Sequence, residues 1–194
     1  MVSLADTWRT IDRSLFLALN GDMGPFADSF FWTVSYVPTW IPLYLFLGWV
    51  LYRTLGWRKM LLAIALLSLG VIIADQIANI FKYGVQKLRP THNPLFDGIV
   101  HIVKGYRGGL YGTVSAHAAT TMAISAFVSL IYRRWWVTTA MFLWAAVVCY
   151  SRIYLGVHYP ADIFFGTING LFWGWLAYRV FVKASKKPKF CKPV

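Results

Sequence analysis

MLLAIALLSLGVIIADQIANIFK, residues 60–82, decides the fold. It is a nearly unbroken apolar run of the length a helix needs to cross a bilayer core, about 20 residues. Arg58 and Lys59 precede it and Lys82 ends it. Three more runs follow, at 116–132, 135–150 and 161–182. Upstream, residues 25–54 are apolar but broken near Pro38 and Pro42, which predicts a short helix and then a spanning one. Residues 4–19 have mixed polarity and predict an amphipathic helix at the interface, within a segment 1–24. Residues 83–114 read as an irregular loop, with Pro90, Pro94 and glycines at 98, 105, 108, 109 and 112. The expected architecture is an all-α polytopic membrane helix bundle. It has five to six membrane helices, an N-terminal interfacial helix and one domain over 1–194. A basic cytoplasmic tail covers 183–194.

Composition supports that class. The chain is 58% hydrophobic, with ten Trp, eleven Tyr and fourteen Phe in 194 residues. Its mean hydropathy is +0.55. One small soluble core could not hide this much apolar surface. All seven acidic residues are Asp, against nineteen Lys and Arg, a net charge of +12. In a soluble protein that balance would suggest nucleic acid. Here the basic residues sit mostly in short loops and the tail, so they report membrane topology and no nucleic-acid partner is expected. Cys149 and Cys191 form neither a disulfide framework nor a metal spacing. Arg9 and Arg13 precede only a short apolar stretch, broken by Asn20-Gly21-Asp22, which is not the pattern of a signal peptide.

Arg53, Arg58, Lys59, Arg133, Arg134, Arg179 and the tail lysines fall on one side when the spans alternate. The positive-inside rule makes that side cytoplasmic. Trp57, Trp135 and Trp136 stand beside these charges as interfacial anchors. The same alternation gathers Lys82, the 83–114 loop, Ser115, Arg152 and His158 on the outer side.

Three polar stretches there carry chemistry. Lys82, Arg89 and Arg152 are cations where the charge rule disfavours them, which points to a multiply charged anion such as phosphate. Pairing with Asp97 or Asp162, or attraction to anionic head groups, is the plainer alternative for each taken singly. Ser115 suits a helix N-cap, and the same geometry presents main-chain N–H groups to an anion. His117 falls in the first turn of that helix. His158 precedes Tyr159-Pro160, so a helix starts just after it, with Asp162 in the first turn. A carboxylate on one ring nitrogen leaves the other free to attack. Asp75 and Asn79 share a helical face with Lys82, either supporting it or bonding a neighbouring helix. His92 and His101 have no acidic or Cys neighbours at ligand spacing, so no metal and no cofactor is expected.

Lys82-x6-Arg89-Pro90, Ser115-Ala116-His117 and Ser151-Arg152-x5-His158-x3-Asp162 together resemble the three-part signature of the type 2 phosphatidic acid phosphatase (PAP2) superfamily. The resemblance implies that His158 is the nucleophile of a phosphohistidine intermediate, with Asp162 orienting it. His117 would protonate the leaving oxygen. Lys82, Arg89, Ser115, Ala116 and Arg152 would hold the phosphoryl group. It further implies a metal-independent lipid phosphatase of the bacterial inner membrane, its site facing the periplasm or exterior. Undecaprenyl diphosphate, lipid A and phosphatidylglycerol phosphate are the candidate lipids, and oligomeric state is left open. The family's central motif usually reads Pro-Ser-Gly-His, whereas this chain has Val114 and Ala116. Ala116 places a Cβ where glycine lets the backbone close on phosphate. The alternative reading is therefore a catalytically weak or inactive lipid-phosphate binder or transporter. Vanadate-dependent oxidation, as in the related haloperoxidases, suits a compact membrane chain less.

Overall fold

The computed structural model describes residues 4–185. Cys191 and the tail lysines beyond Lys183 lie outside the described residues. Within them are seven α-helices: α1 Leu4–Leu19, α2 Pro25–Ser35, α3 Ile41–Leu55, α4 Trp57–Val85, α5 Ala116–Tyr132, α6 Trp135–Tyr154 and α7 Pro160–Ala184. A short 3-10 turn, Val37–Trp40, joins α2 to α3, and the pair is bent by 74°. No strand occurs among the described residues. One isolated bridge, Leu88 to Tyr111, pins the two arms of the long loop together.

By length and apolarity, α4 and α6 qualify to cross a membrane, and α2 with α3 adds a third if the bent pair is one span. That is fewer than the five to six expected. α5 is apolar but has only 17 residues. Large apolar side chains cover the outside of α3 and α4, among them Leu45, Phe46, Trp49, Leu61, Leu69 and Ile72. Exposed apolar surface on this scale is a solvent-facing liability in water and a natural lipid-facing surface in a bilayer.

The boundaries follow local chemistry. Ser115 Oγ accepts from Ala118 N and caps α5. Pro160 occupies the first turn of α7, and Asp162 reaches back to accept from Tyr159 N at 3.1 Å. α4 ends where Gln86 turns left-handed, at φ 53°. α6 runs one turn beyond the expected 150, so Ser151 and Arg152 lie inside it. Their polar groups do not stop the helix because partners are at hand: Ser151 Oγ donates to Val148 O at 2.6 Å, and Arg152 donates to Ser35 Oγ.

The bundle is built around α5, which packs against α7, α6 and α4. The α5–α7 contact is made by backbone. Gly166, Gly170 and Gly174 lie one helical turn apart on α7. A Cβ on Gly166 would stand 2.6 Å from Ser115 O, and one on Gly170 or Gly174 would collide with the carbonyl of Ala119 or Ala123. Small residues at this spacing let two helices approach closely in lipid. At the other end of the bundle, Leu51, Ala63, Phe127, Ile131, Ala177 and Phe181 form one cluster. Arg53, Arg58, Lys59, Arg133, Arg134 and Arg179 flank that end in sequence.

Gly170→Ala should therefore destabilise the protein by about 1–3 kcal/mol, the usual cost of overpacking. Gly48→Ala, on α3 where an added Cβ meets nothing within 4 Å, should be neutral or gain up to about 1 kcal/mol. Melting temperatures of the two variants in one detergent test the contrast. Equal melting temperatures would mean the helices are not in backbone contact.

Candidate active site

The last turn of α4, the loop 86–115, the first turn of α5, the last turn of α6 and the start of α7 meet at one end of the bundle. Arg89 leaves the loop at Pro90 and is buried, 8% exposed. Its Nε donates to Tyr111 O at 2.9 Å, and Nη1 to Val157 O at 3.4 Å. Gly108 and Gly112 make room for it, since a Cβ on either would come within 3 Å of the Arg89 side chain. Arg152 is 4% exposed. It donates to the hydroxyls of Ser35 and Tyr106, the latter at 3.4 Å, and its guanidinium lies 5.8 Å from the Tyr106 ring. Its Nε has no partner. Neither guanidinium makes an ion pair with a carboxylate among the described residues. Burial, and then the charge of Arg152, push Arg89 below its ordinary value. Two buried cations that repel each other and bond only neutral groups are poised for an anion.

His158 lies in the extended segment before α7 and is 3% exposed. Its Nδ1 faces Asp162 Oδ2 at 3.3 Å. Burial pushes the imidazole down to about 4, against the opposing pull of Asp162; Arg89 and Arg152 lower it further. At neutral pH the ring is uncharged, with the Nδ1–H donating to Asp162 and Nε2 free. His117, in the first turn of α5, lies near the Ser35 main chain, His158 and Arg152.

Ser115 is fully buried, and its main-chain N–H donates to Asp162 O at 3.0 Å. The start of α5 is thus tied to the start of α7. Val114 is buried, and Ala116 is the first residue of α5. Lys82, in the last turn of α4, is turned to Asn79 Oδ1 at 2.8 Å; Asn79 in turn donates to Asp75. Of the two readings of Asp75 and Asn79, support of Lys82 is the one the geometry follows.

A cavity of about 390 Å³ opens on this group, lined by His117 and Arg152 with Ser35, Trp32, Tyr36 and Tyr106 among others. His158 and Arg89 are not among its lining residues. Trp32, Ser35 and Tyr106 had no role in the sequence reading. Ser35 reaches Arg152 because the chain breaks between α2 and the proline turn, and the prolines at 38 and 42 were the available signal. Lys87 was also missed. Its Nζ pairs with Asp162 Oδ1 at 2.9 Å and with Asp12 Oδ2 at 3.2 Å.

One expectation is corrected. His101 does have carboxylate neighbours: its Nε2 lies 2.8 Å from Asp28 Oδ1, and Asp22 completes a group whose ligand atoms fall within 4.8 Å. The long loop folds back onto the start of α2, a juxtaposition invisible in sequence spacing. Asp28 there also accepts from Tyr154 at 2.6 Å.

Residues 58–186 match the PAP2 superfamily. The chain is 36% identical over 187 residues to a lipid A 4'-phosphatase of Bacteroides thetaiotaomicron, covering 95% of this chain and 83% of that protein. It is 35% identical over 178 residues to a lipid A 4'-phosphatase of Porphyromonas gingivalis, covering 91% and 75%. The fold is shared with LpxE of Aquifex aeolicus, at a TM-score of 0.64 and 23% identity over 87% of this chain and 95% of that one. It is also shared with a PAP2-type phosphatidylglycerolphosphate phosphatase of Bacillus subtilis, at a TM-score of 0.69 and 17% identity over 92% and 88%. The three-part signature, the match across two thirds of the chain and the relatives that span nearly all of it agree: this protein belongs to the PAP2 superfamily.

Proposed function

We propose that this protein removes the 4'-phosphate of lipid A, or of a closely similar phosphorylated glycolipid, through a phosphohistidine intermediate. The observation that carries the reading is the pair of buried guanidiniums, Arg89 and Arg152, left without carboxylates beside two histidines. Such a group is incomplete without a polyanion, and phosphoryl transfer depends mainly on placing and neutralising one. The relatives' substrate narrows the candidate lipids to lipid A. The cavity suits a sugar ring, since Trp32, Tyr36 and Tyr106 offer apolar faces with polar edges.

In the first step His158 Nε2 attacks phosphorus in line. The P–N bond forms as the P–O bond to the sugar breaks, and His117 gives its proton to the leaving oxygen. Asp162 holds the Nδ1 proton and stabilises the charge that develops on the ring. Arg89, Arg152 and Lys82 neutralise the equatorial oxygens, with main-chain N–H groups at the start of α5 completing the cradle beside Ser115 and Ala116. In the second step water attacks phosphorus, His117 takes its proton, the P–N bond breaks and phosphate leaves. His158 returns to its neutral form.

The bundle supports a membrane setting with the site on the outer side. α5 is enclosed by α4, α6 and α7, so it can span with small residues, and 17 residues is the low end of the spanning range, about 17–25. α7 has 25 residues. With these two the count reaches five, counting α2 and α3 as one broken span. The cationic end faces the cytoplasm and the site faces the periplasm, at head-group level.

The decisive experiment follows phosphate release from lipid A by the detergent-solubilised protein with chelator present. His158→Ala should lose about a thousandfold or more. Rapid quenching of the wild-type reaction should trap an acid-labile phosphoenzyme. Full activity in His158→Ala would sink the mechanism. Lipid binding without turnover in the wild type would favour the binder reading, with Val114 and Ala116 as its cause.

pH provides a second test. The neutral form of His158 is needed, so the acid limb of kcat/KM falls as pH drops through about 4, while the alkaline limb belongs to the proton that His117 must carry. Asp162 raises the pKa of His158, so Asp162→Asn should move the acid limb to still lower pH while reducing turnover. The second ionisation of the substrate, near about 6, is common to both proteins and cancels in the comparison. An acid limb moving the other way would contradict the assigned pair.

A further inference from the structure

We propose that Lys87 and Asp12 are positioning residues: a buried carboxylate on α1 holds a lysine that in turn fixes the Asp162 carboxylate against His158. This rests on the reading of His158 as nucleophile and extends it to a helix outside the three-part signature.

Asp162 is 1% exposed. Its two oxygens are used differently. Oδ2 accepts from Tyr159 N at 3.1 Å and faces His158 Nδ1 at 3.3 Å. Oδ1 is bonded by Lys87 Nζ alone among the described residues, at 2.9 Å. Without Lys87, Oδ1 would be a buried carboxylate oxygen with no donor. The group would then turn to share its existing donors, and the ring would lose its fixed partner. Lys87 itself is not left to roam. Asp12 Oδ2 holds its ammonium at 3.2 Å, and the ammonium sits 4.1 Å from the centroid of the Tyr159 ring. Asp12 is 8% exposed, and its other oxygen, Oδ1, accepts from Ala161 N at 2.8 Å in the first turn of α7. One carboxylate from the start of the chain therefore secures both the lysine and the helix start that carries Asp162.

α1 is suited to this task. Asp12 and Phe16 are buried on its inner face, while Leu4, Trp8, Ile11 and Leu15 are exposed on the adjoining face. A helix seated by its apolar face at the interface presents Asp12 at a fixed depth. The plainer role for Asp12, capping α7 only, would stabilise the fold without touching the field at His158. The charged and titratable groups facing His158 are Asp162 on α7, Arg89 on the loop, Arg152 on α6 and His117 on α5. Lys87 acts on it through Asp162.

The test measures lipid A dephosphorylation across pH for Lys87→Met, Lys87→Arg, Asp12→Asn, Asp162→Asn and the Lys87→Met/Asp162→Asn double variant, with His158→Ala as reference. Lys87→Met should lower kcat about ten- to a hundredfold, the scale on which outer partners of a functional imidazole act, with little change in KM. Because Lys87 acts through Asp162, the acid limb of kcat/KM should move the way it does in Asp162→Asn, to lower pH. Asp12→Asn removes a negative charge and should move it to lower pH. Lys87→Arg should restore most of the turnover. The double variant should be no slower than Asp162→Asn, because Lys87 acts through that carboxylate. Wild-type turnover in Lys87→Met would overturn the proposal. So would a loss that is equal at every pH, not rescued by Arg and additive with Asp162→Asn. An active His158→Ala protein would overturn the phosphohistidine reading and this inference with it. An inactive His158→Ala protein beside an unaffected Lys87→Met protein would overturn this inference alone.

Discussion

The backbone contact between α5 and α7 is the constraint on which the rest depends. Gly166 lies against the Ser115 carbonyl, and the Ser115 N–H bonds the Asp162 carbonyl. One helix start carries Ser115 and His117, and the other carries Asp162 with His158 just ahead. Their proximity is therefore set by main chain, which has few ways to relax. A side-chain interface of ordinary width would hold the two starts further apart, each with its own freedom. Glycines one turn apart on α7, facing alanines on α5, remove that freedom along the whole contact.

Electrostatics then works on a rigid frame. Arg89 and Arg152 are costly to bury together, and the fold meets that cost with neutral acceptors: two carbonyls for Arg89, two hydroxyls for Arg152. Carboxylates at those positions would have cancelled the charge of the two guanidiniums. The available carboxylate, Asp162, is given instead to His158 and Lys87. The same burial that keeps His158 neutral strengthens its bond to Asp162, since a low local dielectric favours whatever pairs remain. Opposed effects thus act on one ring, burial lowering its pKa and Asp162 raising it.

Much of the site was legible because its residues mark helix boundaries. Ser115, Pro160 and Asp162 announce helix starts by local hydrogen-bonding rules, and those rules act within a few residues. Arg89-Pro90 and the loop glycines announced irregular chain for the same reason. Lys87 was not legible: nothing near it in sequence distinguishes it from Lys82, and its partners lie 75 residues away on either side. Asp12 resembled any polar residue of an amphipathic helix. Its burial depends on α7 lying against α1. The His101 neighbours were hidden in the same way, since the loop had to fold back on α2 before Asp28 could meet the ring.

The amino-acid sequence by itself determined the long apolar segments, the helix starts at Ser115 and Pro160 and the grouping of the basic residues in short loops. These follow from the period and polarity of short stretches and from the energetics of charge near lipid. Only the tertiary structure decided which of the described cations lack counter-charges and which lysine pairs with Asp162. Those outcomes depend on contacts between segments far apart in the chain. Burial there multiplies the worth of every polar pairing, and no local rule reports which pairs burial will select.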